Sequence, residues 1–171
     1  MYNIGDVVMY ANMGMCRVMD IEQKLLCEAI GEKQYYKLQA VFEEDAICYV
    51  PTDSDVFMRK AITKEEAEEL ISEIPEVEEE AYINKNIKEL ARHYDEKINA
   101  GNCKSLVELI LSIDDKKDYM ESQKKKLGAV DEKYLKKARN LLYEEFAVSL
   151  GIKKENVPKY IHRKVGAVSA Q

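Results

Sequence analysis

The spacing of apolar residues changes once along this chain of 171 residues, near residue 60. Before that point, short runs rich in Val, Ile, Tyr and Met occupy residues 7–10, 15–21, 35–42 and 46–50, with glycines and acidic turns between them. After it, apolar residues recur every three or four positions, as on one face of a helix. The change predicts an α+β chain: a small N-terminal antiparallel β-barrel-like domain, followed by a C-terminal all-α helical bundle.

The boundary between the two parts is marked by a helix start. Thr63 and Glu66 have the spacing of a capping box, and Pro75 ends the helix that they open. An acidic linker follows. We therefore expect a β-rich domain over residues 1–62, a helix and linker over 63–83, and a helical domain over 84–171.

Within the helical domain, the second helix is predicted from about residue 84 to residue 100. Its inward face would carry five apolar residues: Ile87, Leu90, Ala91, Tyr94 and Ile98. Ser105 and Glu108 predict a capping box at the start of the third helix. A fourth helix runs from about Asp131 to a stop at Gly151, and a short fifth helix begins near Asn156.

Charge is distributed unevenly. Residues 61–83 carry nine acidic side chains and one basic one, whereas residues 84–171 carry 19 basic and 13 acidic ones. The positive balance of the C-terminal part suggests contact with a polyanion, but on charge alone we favour ordinary solvated helix faces.

Several function classes find no support. The four cysteines form no C-x-x-C pair, and the two histidines lie far apart, so we expect free thiols, no metal and no cofactor. No segment has the roughly 18 to 20 apolar residues that cross a membrane, which favours a cytoplasmic protein. Walker, G-x-S-x-G, H-E-x-x-H and dinucleotide-binding motifs are absent, so we expect no enzyme.

A resemblance covers nearly the whole chain. Residues 5–10 (GDVVMY), 18–22 (VMDIE), 35–38 (YYKL) and 50–51 (VP), with Gly14 and Arg59, resemble the strand signatures of the CarD/CdnL family of bacterial transcription regulators. Residues 135–142 (LKKARNLL) resemble a helix near the end of that family. The N-terminal module is similar to the polymerase-interacting domain of the transcription-repair coupling factor, which implies a Tudor or SH3-like fold.

The resemblance implies a polymerase contact. In the family, the β module pairs a strand edge with the β subunit of RNA polymerase, assisted by basic side chains. The matching positions are Lys24, Tyr49, Val50 and Pro51. Arginine is common where this chain has Tyr49, and an aromatic side chain there either stacks on the partner or serves as an ordinary strand residue.

The resemblance also implies a DNA contact, in which the helical domain steadies the open promoter complex. Many relatives have a tryptophan wedge where this chain has Ile87, and two arginines where it has Glu89 and Leu90. Ile87 fits either a wedge or the inward face, and we favour the inward face. The remaining candidates for phosphate contacts are basic residues: Lys85, Lys88, Arg92, Lys136 and Arg139.

Two functions therefore remain open. In the first, the chain is a monomeric transcription regulator that binds the polymerase β subunit and touches promoter DNA weakly, through phosphates. In the second, it is a polymerase-binding adapter with little or no DNA contact, which the missing tryptophan and arginines would suit.

Overall fold

The computed structural model describes residues 1–10, 13–25 and 32–169. The chain divides into two compact units, Met1–Ile62 and Thr63–Gln171. None of the helices in the described ranges is both long and apolar enough to cross a membrane.

The first unit is a five-stranded antiparallel sheet, and its first four strands lie where the apolar runs predict strands. Its strands are β1 (Val7–Tyr10), β2 (Gly14–Leu25), β3 (Glu32–Ala40), β4 (Ile47–Pro51) and β5 (Met58–Lys60), in the order β4-β3-β2-β1-β5. The apolar runs do not predict β5. Its three residues are too few to show an alternating pattern, and β5 forms by pairing with β1.

One face of the sheet buries a small core. Its fully buried members come from four strands: Val8, Cys16, Val18, Tyr36, Leu38 and Val50. Tyr2 packs edge-on against the ring of Tyr36, and its hydroxyl donates to the Met58 carbonyl at 2.6 Å. The N-terminal segment thereby ties the centre of the sheet to β5. Cys16 and Cys48 are not in disulfide bonds, and Cys27 lies outside the described residues.

The second unit contains five helices. They are α1 (Lys64–Glu73), α2 (Ile87–Asn99), α3 (Cys103–Ser122), α4 (Ala129–Leu150) and α5 (Val157–Ser169), with 3-10 turns at Ile74–Glu76 and Lys154–Asn156. At 13 residues, α5 is longer than the short helix expected there. The α+β architecture is therefore confirmed.

The helix ends show which capping signals operate. The Thr63–Glu66 capping box forms, with the Thr63 amide donating to Glu66 Oε2 at 2.7 Å and the Glu66 amide donating to Thr63 Oγ1 at 3.2 Å. The box predicted at Ser105 is wrong. Asn102 caps α3 instead and accepts from the Ser105 amide at 2.8 Å, because asparagine is as good a cap and comes earlier in the chain. Gly151 ends α4 in the left-handed region, with φ of 65°.

The segment expected to act as a linker is part of the second unit. Helix α1 packs against α4 and α5, and the Tyr160 hydroxyl donates to Glu68 at 2.8 Å. Farther along, the Ser112 hydroxyl donates to the Glu80 carbonyl at 2.8 Å, and the Ala81 amide donates to Asp115 at 3.0 Å. The chain that leads into α2 is therefore held against α3.

A buried polar cluster joins α2, α3 and α4. Asp131 Oδ1, in the first turn of α4, accepts from the Tyr94 hydroxyl at 2.6 Å and from Lys116 Nζ at 2.8 Å. All three residues are buried. Burial and the bond to Asp131 raise the pKa of Tyr94, so that its hydroxyl remains a donor.

Removing one partner of this cluster should be costly. Asp131→Ala leaves the Lys116 ammonium buried without its counter-charge, and we expect a loss of about 3–5 kcal/mol in the free energy of unfolding. Glu132→Ala, at the exposed neighbouring position, should change it by less than about 0.5 kcal/mol. Urea denaturation measures both variants.

The double variant Asp131→Ala/Lys116→Met removes both charges and should recover much of the loss. A loss below about 1 kcal/mol in the single variant, or no recovery in the double variant, would show that the ion pair does not hold the three helices.

Candidate functional site

Strand β4 forms one edge of the sheet, with β3 on one side and no strand on the other in the described part of the chain. The Ala40 amide donates to the Ala46 carbonyl, and the Thr52 amide donates to the Gln34 carbonyl, each at 2.9 Å. Because hydrogen-bonded and non-bonded pairs alternate in an antiparallel ladder, the backbone groups of Ile47 and Tyr49 face away from β3.

The side chains of β4 sort by the same alternation. Ile47 is 49% exposed and Tyr49 is 40% exposed, on the face opposite the core. Val50 is 2% exposed and belongs to the core, so it can offer a partner only its backbone. Pro51 has no amide hydrogen and ends the strand. Of the predicted polymerase contacts on β4, Tyr49 alone presents an exposed side chain.

Sequence reasoning missed Ile47 and Lys37. Lys37 is the partner of Tyr49 across the ladder, and Gln39 is the partner of Ile47. Residues opposite one another share a face of the sheet, so Lys37 places a cation next to the exposed apolar pair. The sequence of β4, ICYVP, has no alternation of polar and apolar residues, so it carries no signal for the exposure of Ile47.

Lys24, the remaining predicted polymerase contact, is described only by its backbone, which lies opposite Lys33 in the ladder. Its side chain lies outside the described residues. Lys33 Nζ donates to Asp53 at 2.9 Å, and this hydrogen bond raises the pKa of Lys33 and lowers that of Asp53. Lys33 therefore forms a salt bridge with Asp53 of the same unit.

The start of α2 is the second candidate site. Asn86 caps the helix by accepting from the Lys88 amide at 3.0 Å. Just before it, the side-chain amide of Asn84 donates through Nδ2 to the Tyr82 hydroxyl at 3.2 Å and to Glu89 Oε2 at 2.9 Å. Tyr82 stacks on His93 with ring centroids 3.8 Å apart. These contacts fix the first turn of α2 and the chain that enters it.

Ile87 is not buried in the bundle, so the expectation that it packs on the inward face is wrong. It is the first residue of α2 and is 64% exposed, whereas Leu90, Tyr94 and Ile98 fill the buried stripe. Helix α2 packs into the bundle through Leu90, Tyr94 and Ile98. Ile87 lies about one turn before Leu90, at the exposed N-terminal end of the helix. Ile83, four residues earlier, is 61% exposed as well.

Several exposed basic residues lie close to Ile87 in sequence. Lys88 and Arg92 are one helical turn apart and both are exposed. Lys85 is exposed too. Because it precedes the Asn86 cap, helical spacing does not place it on the same face as Lys88 and Arg92. Burial and the nearby Lys97 lower the pKa of His93, which keeps that ring neutral at pH 7.

The positions where relatives carry two arginines differ in burial. Glu89 is exposed, and Leu90 is buried in the bundle. The structure therefore leaves no room for a surface cation at Leu90.

The two predicted phosphate contacts on α4 differ in the same way. Lys136 is exposed, whereas Arg139 Nη2 donates to both carboxylate oxygens of Asp114, at 2.7 and 2.8 Å. Arg139 Nε is buried and finds no acceptor among the described residues. The guanidinium is thus tied into the bundle.

Two family models match the chain and together span most of it. The CarD-like/TRCF RID domain matches residues 2–62, and the CarD C-terminal domain matches residues 76–162. The chain belongs to the CarD-like family. Comparison with curated proteins gives no match.

Membership defines a transcription-related protein that interacts with RNA polymerase, and CarD-like families are non-enzymatic regulatory or interaction proteins. Within the described ranges, no group of three or more His, Cys, Asp or Glu side chains is placed to hold a metal ion.

The β4 edge generates a test with core RNA polymerase. Ile47→Glu replaces an apolar cross-strand contact with a charge that must be desolvated, so affinity should fall by about tenfold or more. Ile4→Glu makes the same change at an exposed residue of the same unit, away from β4, and should alter affinity by less than about twofold. Equal losses in the two variants, measured by biolayer interferometry, would place the contact elsewhere.

Proposed function

We propose that this protein binds the β subunit of RNA polymerase through the β4 edge and stabilises the promoter open complex through the start of α2. The proposal rests on one observation above all: Ile87 is exposed at the first position of α2, and Lys85, Lys88 and Arg92, within five residues of it in sequence, are exposed too. An apolar tip between cations is the arrangement of a side chain that enters a DNA step while its neighbours contact phosphates.

Docking on the β subunit would add a strand of the partner to β4. The backbone groups of Ile47 and Tyr49 face away from β3, and their side chains lie on one face. In such strand addition, main-chain hydrogen bonds supply affinity and alternate side chains supply specificity. We further propose that the protein acts as a monomer in the cytoplasm, together with the polymerase.

Rigidity of the first turn supports the wedge. Inserting an apolar side chain between bases requires a support that does not yield, and unstacking a base step costs a few kcal/mol. The Asn86 cap, the Tyr82–His93 stack and the contact of Ala81 with Asp115 hold the first turn of α2 in place. Isoleucine has less area than tryptophan and no π face, so the wedge should be a weak one.

The phosphate contacts complete the proposed DNA surface. Lys85, Lys88 and Arg92 supply cations beside the wedge, and Lys136 supplies an exposed cation on α4. We leave Arg139 out, because Asp114 already engages its guanidinium. Contacts of this kind position a protein without reading sequence, so binding should be weak and tolerant of sequence.

A polymerase adapter without DNA contact is the second candidate. The exposed Glu89, within the first turn of α2, favours it, because a carboxylate at this point repels phosphates. The two candidates differ in whether the start of α2 contributes to DNA affinity and to open-complex lifetime.

The salt dependence of promoter binding tests the phosphate contacts. Each phosphate neutralised contributes about −0.9 to the slope of log K against log salt, so replacing Lys85, Lys88 and Arg92 together with alanine should flatten the slope by up to about 2.7. Replacing Lys153, Lys159 and Lys164, three exposed lysines around α5, should leave it unchanged. If only the second set flattens the slope, the DNA surface lies at α5 instead.

Open-complex lifetime tests the wedge. Ile87→Trp enlarges the exposed apolar tip and adds a face that stacks on bases, so the lifetime should lengthen several-fold. The free energy of unfolding should change by less than about 0.5 kcal/mol, because the site is exposed. Asn99→Trp, at the exposed far end of α2, is the matched control and should leave the lifetime unchanged.

An unchanged lifetime for Ile87→Trp, with Ile87→Ala equally without effect, would remove the wedge. Retained polymerase binding in the same variants would then favour the adapter.

A further inference from the structure

A groove of about 490 Å³ lies between the C-terminal half of α3 and the outer face of α4. Its volume falls within the range of small-molecule sites, about 300–1,000 Å³. The loop after α3 closes one end through Lys125, Lys126 and Leu127. This groove plays no part in the proposed polymerase contact.

Basic residues are the most frequent type in the lining of the groove. Five of its side chains are basic, and they are Lys117, Lys125, Lys126, Lys136 and Arg139. Glu121 and Glu132 also line it, and Asp114 already pairs with Arg139, so four lysines face two carboxylates with a net charge of +2. Within the described residues the four lysines make no ion pair, so an entering anion would meet cations that no acid has neutralised.

The floor of the groove is apolar. Leu135 is buried there, with Leu127 and Tyr143 beside it. Burial raises the pKa of Tyr143, so its hydroxyl stays protonated, and it makes no hydrogen bond within the described part of the chain. The lining of the groove thus combines apolar side chains, a hydroxyl donor and several ammonium groups.

The loop that brings two of the lysines into the groove is strained. Lys124 has a φ of 57°, the only positive φ of a non-glycine residue in the described ranges. The Lys125 amide donates to the Met120 carbonyl at 2.9 Å and so closes α3 in a turn that glycine usually provides. Strained backbone of this kind is concentrated at functional sites.

We propose that this groove binds a phosphorylated nucleoside. The phosphates would contact Lys126 and its neighbouring lysines, and the base would pack against Tyr143 and Leu127. A duplex backbone is the less suitable occupant, because the cations line a concave groove with an apolar floor, whereas phosphate contacts alone need only an exposed surface.

Calorimetric titration of the full chain with ATP, adenosine and inorganic pyrophosphate at physiological ionic strength tests this. ATP should bind more tightly than adenosine or pyrophosphate, because only ATP engages both the cations and the apolar floor. Lys126→Glu should weaken ATP binding by about tenfold, as expected for the loss of a charge-assisted hydrogen bond.

Lys133→Glu is the matched control, since it makes the same charge change at an exposed position of α4 whose side chain does not line the groove. It should alter ATP affinity by less than about twofold. Thermal unfolding verifies that both variants are folded.

Three results would overturn the proposal. Equal binding of pyrophosphate and ATP would remove the base from the site. Equal losses of ATP affinity in the two variants would show that ATP is attracted by the overall charge of the unit and not by the groove. Binding of a DNA duplex that depends on Lys126 more than on Lys133, with no binding of ATP, would assign the groove to DNA.

Discussion

The buried carboxylate of Asp131 sets the geometry of the helical unit. Its Oδ1 accepts from Tyr94 on α2 and from Lys116 on α3, so one atom of α4 fixes two neighbouring helices. A charge taken out of water is stable only with its partners in place, which makes the arrangement specific as well as strong. Because Tyr94 lies two turns after Ile87, the same atom helps to hold the candidate DNA-contacting end of α2.

The sheet unit has a closed core on one face and an edge strand that the proposed function uses. Val8, Val18 and Leu38 close the core on one face, while β4 keeps one side without a strand in the described part of the chain. An exposed edge with apolar side chains is normally a liability that proteins cover or charge. The proposed function assigns a partner strand to that edge, where Lys37 lies opposite Tyr49 and would add a cation.

The change of apolar period predicts the α+β architecture, four of the five strands and the Thr63 cap, because these features depend on neighbours in sequence. The exposure of Ile87 could not be predicted, since an apolar residue at a helix end fits the inward stripe until the packing of the last turn is known. Nor could the Arg139–Asp114 pair, which joins residues 25 apart in sequence. Asn102 displaced the Ser105 cap because two equivalent signals compete within four residues.

Placing a photo-crosslinking side chain at Ile87 tests the central claim, that the start of α2 meets promoter DNA while the protein is bound to polymerase. With the full chain in a polymerase–promoter complex, irradiation should attach position 87 to DNA near the upstream edge of the melted region. The same group at Asn99, at the other end of α2, should not reach DNA. Crosslinks from position 87 to polymerase alone, or equal DNA crosslinks from both positions, would contradict the account.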